Sequence, residues 1–149
     1  MKIALASDHA GYELKIAVAD DLAARGIDHV DLGCGPGEKV DYVDFAARAS
    51  RAVAAGECDR AVLVCGTGIG MAVTANKFKG VRATPAWNDF SAEMTRLHND
   101  SNCLTLGGRV LTAEEGLRFV RIWLETPFEG SRHAARIDKI REIERQNFK

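Results

Sequence analysis

Apolar runs and amphipathic stretches alternate along the chain. "KIALAS" (2–7) is an apolar run of strand length, which predicts a buried strand. Leu14, Ala17, Val18 and Leu22 then recur at helical spacing, and Gly26 is placed to stop that helix. "DHVDLG" (28–33) predicts a second, weaker strand, and the glycines and proline of "CGPGEKV" (34–40) predict a loop. Asp41 is placed to cap a helix whose apolar face is Tyr42, Phe45, Ala49 and Val53, ending at Gly56. "RAVLVC" (60–65) is the strongest strand, followed by a glycine turn and a short helix to about Lys77. "GVRATPAW" (80–87) reads as a fourth strand, and Phe90, Met94 and Leu97 mark a helix ending near His98. "NCLTLGG" (102–108) is the fifth. "TAEE" (112–115) has capping-box spacing ahead of Leu117, Val120 and Leu124, and Ser131 is placed to cap a last helix with Ile137, Ile140 and Ile143 on its buried side.

Five strands separated by helices predict a parallel sheet with helices on both faces, a three-layer, Rossmann-like, doubly wound α/β fold. Parallel crossovers gather the segments after the strands along one edge, the usual ligand crevice of such sheets. Those segments are Ser7-Asp8-His9, Cys34 to Val40, Cys65 to Gly70, Trp87-Asn88-Asp89 and Gly107-Gly108-Arg109.

Composition narrows the functional classes. At 149 residues, with no internal repeat or composition shift, the chain is expected to form one domain spanning 1–149. A net charge of −1 gives no reason to expect nucleic acid or an anionic membrane as partner. The N-terminal apolar run meets Asp8 and His9 too early for a signal-peptide core, and no run is long enough to span a bilayer, so a cytoplasmic protein is expected. Cys34, Cys58, Cys65 and Cys103 are irregularly spaced without a C-x-x-C pair, so neither a zinc site nor a disulfide framework is expected.

Most of the candidate chemistry falls in the post-strand segments. "CGTGIG" (65–70) is neither G-x-G-x-x-G, since position 71 is Met, nor a P-loop, since no Lys-Ser/Thr pair follows. It can be a packing turn, or its amides can cradle an anion or oxyanion. Cys65 precedes that turn either as a buried apolar residue or as a thiol activated by the helix start. In "SDHAG" (7–11), Asp8 can cap the next helix or hold hydroxyls, and His9 can lie on the surface or bind an anion. In "HND" (98–100), Asn99 can end a helix, while His98 can oppose the negative helix end or serve as an acid–base at neutral pH. Arg132 and Arg136 stand four apart in "SRHAAR" (131–136), early in a helix whose dipole opposes them. A bound phosphate gives two forked guanidiniums a reason to be there.

"SDHAG", "DY" (41–42), "CGTGIG", "ANK" (75–77), "HND" followed by "NCLTLGGRV", and "EGSRHAAR" resemble, in that order, the motifs of type B ribose-5-phosphate isomerases. These belong with the galactose-6-phosphate isomerase subunits in one sugar-phosphate isomerase family. The resemblance runs from residue 1 to about 145, and six motifs in register make it specific. It implies a homodimer or homotetramer with active sites shared across a subunit interface, the last helix (about 131–147) packing on a partner subunit, and neither metal nor organic cofactor. The implied reaction interconverts D-ribose 5-phosphate and D-ribulose 5-phosphate through an enediolate. By the same resemblance Cys65 is the base, the turn Gly66, Gly68, Ile69 and Gly70 stabilises the enediolate oxygen, and Thr67 and His98 assist ring opening. Asp8, Tyr42 and Asn99 would hold hydroxyls, His9, Arg132 and Arg136 the phosphate, and Arg109 matches the family's arginine after the fifth strand.

Three positions bear on this. One branch of the family replaces the cysteine with a glutamate just after the turn; here that position is Met71, so the cysteine version applies. Val43 stands where many members have proline, and "TPAWND" (84–89) is atypical, placing Trp87 near the crevice where it can alter substrate length. Two rival readings remain: the same chemistry on allose 6-phosphate or a tetrose phosphate, and a nucleotide-binding or thiol-sensing module without turnover.

Overall fold

The computed structural model describes residues 1–148. Its core is a five-stranded, all-parallel sheet built from β1 (Lys2–Ser7), β2 (Asp28–Asp31), β3 (Arg60–Cys65), β4 (Ala83–Pro85) and β5 (Cys103–Gly107), ordered β2-β1-β3-β5-β4. The three central strands are buried on both faces, as their continuous apolar sequences require. β2 lies at the edge, with Asp28 and Asp31 exposed and His29 and Val30 half-buried between them. The chain moves from β1 to β2 on one side, then returns to place β3 on the other. That reversal opens a crevice beyond the C-terminal ends of β1 and β3, where Ser7-Asp8 and Cys65-Gly66 stand.

Strand alternation sorts the core into two layers. Ile3, Leu5, Val62, Val64, Leu104 and Leu106 face α1 (Tyr12–Ala24), Ala92 of α4 (Asp89–Leu97) and α5 (Ala113–Glu125). Ala4, Ala6, Ala61, Leu63 and Cys65 face α2 (Tyr42–Ala54) and α3 (Ile69–Ala75). Small strand residues meet the alanines of α2 on that second face, so backbone and helix approach closely.

Several predicted signals do their expected work. The Asp41 carboxylate accepts from the Val43 amide at 3.0 Å, and Thr112 with Glu115 forms the capping box of α5. Gly26 and Gly56 end α1 and α2 at positive φ. Lys15 departs from the apolar face of α1. Its side chain is buried, and its ammonium donates to Asp31 (2.7 and 2.9 Å) and to the Cys34 carbonyl (2.9 Å), tying the end of β2 to the loop that follows.

Four expectations need correction. The fourth strand is only Ala83–Pro85, because Asn102 and Asn76 side chains occupy the flanking backbone of Arg82 and Ala83. In α4 the buried residues are Ala92, Thr95 and Arg96, while Phe90 is 69% exposed. Tyr42 likewise lies outside the buried face of α2. In α6 (Arg132–Asn147) only His133 and Ile137 are buried; Ile140 and Ile143 face solvent, and the Ser131 side chain caps nothing. Among the described residues, this helix packs extensively against no other helix or strand.

Candidate active site

The crevice holds two adjoining cavities that share Asp8, Tyr42 and Arg109. One, about 520 Å³, is lined by Cys65 and the turn that follows it; the other, about 560 Å³, is lined by His9, Lys39 and Asp41. Each is large enough for a small phosphorylated sugar.

Cys65 ends β3 with its side chain almost fully buried, and the Gly68 amide donates to its Sγ at 3.2 Å. The Ile69 amide donates to Thr67 Oγ1 at 3.3 Å, whereas those of Gly66, Thr67 and Gly70 have no acceptor among the described residues. The turn depends on two close approaches. Gly68 has φ +81°, and a Cβ there would lie 3.0 Å from the Leu106 carbonyl carbon. A Cβ on Gly70 would lie 2.5 Å from the Tyr42 ring.

Asp8 is buried, and its Oδ1 accepts from the amides of Ala10 (2.9 Å) and Gly11 (3.1 Å), capping the single 3-10 turn His9–Gly11. Asp8 therefore caps the turn, as one of its two readings has it, and it also lines both cavities. His9 is exposed, with Nδ1 accepting from the Val40 amide at 3.4 Å. Arg109 lies over Gly66 and lines both cavities.

The other candidates are elsewhere. α4 leaves the crevice edge after β4 and returns, so its C-terminal end, with His98 and Asn99, lies where the strands begin. Asn99 is exposed beside Thr84, away from the cavities of Cys65 and His9. The Glu129 amide donates to the Leu97 carbonyl at 3.0 Å and brings the start of α6 to the same end. There Arg132 is exposed with Glu129 4.0 Å away, and Arg136 is exposed without an ion pair among the described residues. Within one chain, Cys65, Thr67, Asp8, His9, Tyr42 and Arg109 thus come together, and His98, Asn99, Arg132 and Arg136 do not join them.

The sequence analysis did not single out Glu129 or His133. His133 is buried, and its ring stacks on His98 with centroids 4.1 Å apart and planes 12° apart. Burial, then the neighbouring His98 and Arg132, push its pKa below the usual imidazole value. Glu129 Oε2 lies 3.3 Å from His133 Nε2 and 3.8 Å from His98 Nε2. The spacing of Glu129 and His133, four apart within "EGSRH", was the available signal. These three groups come within 4.8 Å of one another, yet they suit a metal ion poorly. An imidazole binds metal in its own ring plane, and two nearly parallel planes share no point.

A thiol, an amide turn and a carboxylate in one crevice, with six motifs around them in order, point to one kind of protein. A profile of the family described as Ribose/Galactose Isomerase matches residues 3–140. The chain belongs to that family. It is 41% identical to ribose-5-phosphate isomerase B of Escherichia coli strain K12, over 97% of both chains. Its fold superimposes on the ribose-5-phosphate isomerase B of Clostridium thermocellum with a TM-score of 0.96, at 47% identity, covering 98% of this chain and 99% of that one. A Mycoplasma genitalium ribose-5-phosphate isomerase B, solved with bound ribulose-5-phosphate, gives a TM-score of 0.92 at 37% identity, covering 98% and 97%. No helix among the described residues is long and apolar enough to cross a membrane.

Proposed function

We propose that this chain interconverts D-ribose 5-phosphate and D-ribulose 5-phosphate without metal or organic cofactor, in the cytoplasm. The observation that carries the chemistry is Cys65, a thiol fixed by the Gly68 amide at the wall of a sugar-sized cavity. Ring opening comes first: the C1–O4 bond breaks, O1 gives up a proton to form the C1 carbonyl, and O4 receives one, with Thr67 and His98 as the proton-handling groups. Cys65 as thiolate then takes the C2 proton. The C2–H electrons form the C1–C2 double bond, and charge moves to the oxygens, where the free amides of the turn can accept it. Donors aimed at developing charge are typically worth about 3 kcal/mol each. Return of the proton to C1, with transfer of the O2 proton to O1, gives the ketose. Asp8, Tyr42 and Asn99 hold hydroxyls, and His9, Arg132 and Arg136 hold the phosphate.

The two residue sets lie at opposite edges of the sheet, so one complete site takes its thiol from one chain and its His98, Asn99 and arginines from another. The exposed Ile140 and Ile143 of α6 suit that helix to packing on a partner, consistent with a homodimer or a homotetramer of dimers. The test is turnover on four-, five- and six-carbon sugar phosphates, with Cys65→Ala beside the parent. Ribose 5-phosphate is expected to react best, and the variant to lose about 100-fold or more while still binding a phosphate analogue. Preferred turnover of allose 6-phosphate or a tetrose phosphate would refute the substrate, and a near-parental rate in the variant would refute the base.

A further inference from the structure

Glu129 stands in the connection between α5 and α6, and the catalytic scheme gives neither it nor the neighbouring His133 a role. Its amide holds the Leu97 carbonyl at the end of α4, and its carboxylate faces three cationic or titratable side chains. Oε2 lies 3.8 Å from His98 Nε2 and 3.3 Å from His133 Nε2, and Oε1 lies 4.0 Å from Arg132. His133 Nε2 is buried without a hydrogen-bond partner, so its ring serves as a flat wall on which His98 stacks. The turn is held from its other side too. Asp100, at φ +46°, accepts from Arg82 and Arg96 at 2.9 Å each.

We propose that Glu129 is a positioning residue for ring opening: with the His133 wall it fixes the orientation of His98. The inference rests on the assignment of His98 to that step. A carboxylate beside an imidazole favours the protonated ring. Among the described residues, the titratable groups set against His98 are the Glu129 carboxylate, 3.8 Å from its Nε2, and the stacked His133 ring.

The experiment separates ring opening from proton transfer at carbon. Ribulose 5-phosphate cannot close a furanose, because its O5 is esterified. Exchange of its C1 hydrogen with solvent deuterium therefore reports Cys65 chemistry alone. Glu129→Gln keeps the shape and removes the charge. It is expected to lower kcat from ribose 5-phosphate about tenfold, while C1 exchange stays within about twofold of the parent. Glu129→Asp, which keeps the charge, is expected to recover most of the lost kcat. Equal loss of both activities would overturn the proposal in favour of a general structural role, and an unchanged kcat would also overturn it. A parent enzyme inactive on ribose 5-phosphate would instead overturn the functional assignment on which the inference rests.

Discussion

Gly68 and Gly70 sit two residues apart in one turn, and alanine at each should have different consequences. At Gly68 the new Cβ meets backbone: Leu106 carbonyl carbon at 3.0 Å, with its amide nitrogen and carbonyl oxygen at 3.1 Å. Leu106 belongs to the central strand β5, where it pairs with Val64 of β3 and is fully buried, so it cannot yield. A left-handed alanine and an overpacked contact together cost roughly 2–5 kcal/mol. For a chain of this length that lowers Tm by roughly 6–16 °C. At Gly70 the three atoms nearest the Cβ all belong to the Tyr42 ring, with Cε2 at 2.5 Å and Cζ at 2.7 Å. Tyr42 is 38% exposed and can swing outward, and alanine recovers up to about 1 kcal/mol of helix propensity. Gly70→Ala should therefore melt within about 3 °C of the parent. Its defect should appear instead in KM, because the displaced ring is a wall of both cavities. Scanning calorimetry and initial rates on both variants check this. A Gly70→Ala protein that melts as low as Gly68→Ala would refute the reasoning.

Three further outcomes are expected. Cys65→Ala chains refolded with an equal amount of Arg132→Ala/Arg136→Ala chains should regain about a quarter of the parental rate, since half the dimers are mixed and each has one intact site; no recovery would contradict a shared site. Lys15→Met leaves the buried Cys34 carbonyl unpaired and should cost about 1–3 kcal/mol, read as a lower urea midpoint at unchanged m. A raised midpoint would show the ammonium to be dispensable. Because burial holds the His133 pKa below its unfolded value, the unfolded chain binds that proton more readily. Its contribution is constant above the unfolded value of about 6.5 and turns against folding as pH falls through that value toward the folded one. His133→Phe should lose less stability between pH 7 and 5 than the parent, and parallel Tm–pH curves would count against this.

The legible parts of the sequence were those governed by local chemistry. The strands now labelled β1, β3 and β5 stand out because central parallel strands are apolar throughout, and caps at Asp41 and Thr112 stand out because they need oxygens at fixed spacing. β4 was overextended because asparagine side chains replaced ladder hydrogen bonds that no local pattern forecasts. In α4 the buried Arg96 is paired with Asp100 and the Ser101 carbonyl, so bulk apolar residues such as Phe90 were the wrong guide to its inner face. The half-site around Cys65 follows strand ends and was readable as a group. His98, Asn99 and the arginines were named by motif, but their placement at the opposite edge follows from the return of α4 and from Glu129 tying α6 to it.

The return of α4 also bears on how the rate depends on dilution. If the thiol at one end of the sheet and the imidazole at the other serve one reaction, as proposed, each chain carries two half-sites and no whole one. On that proposal catalysis begins with an encounter between copies. Below the dissociation constant of the pair, specific activity should fall in proportion to chain concentration, making abundance itself a control on flux.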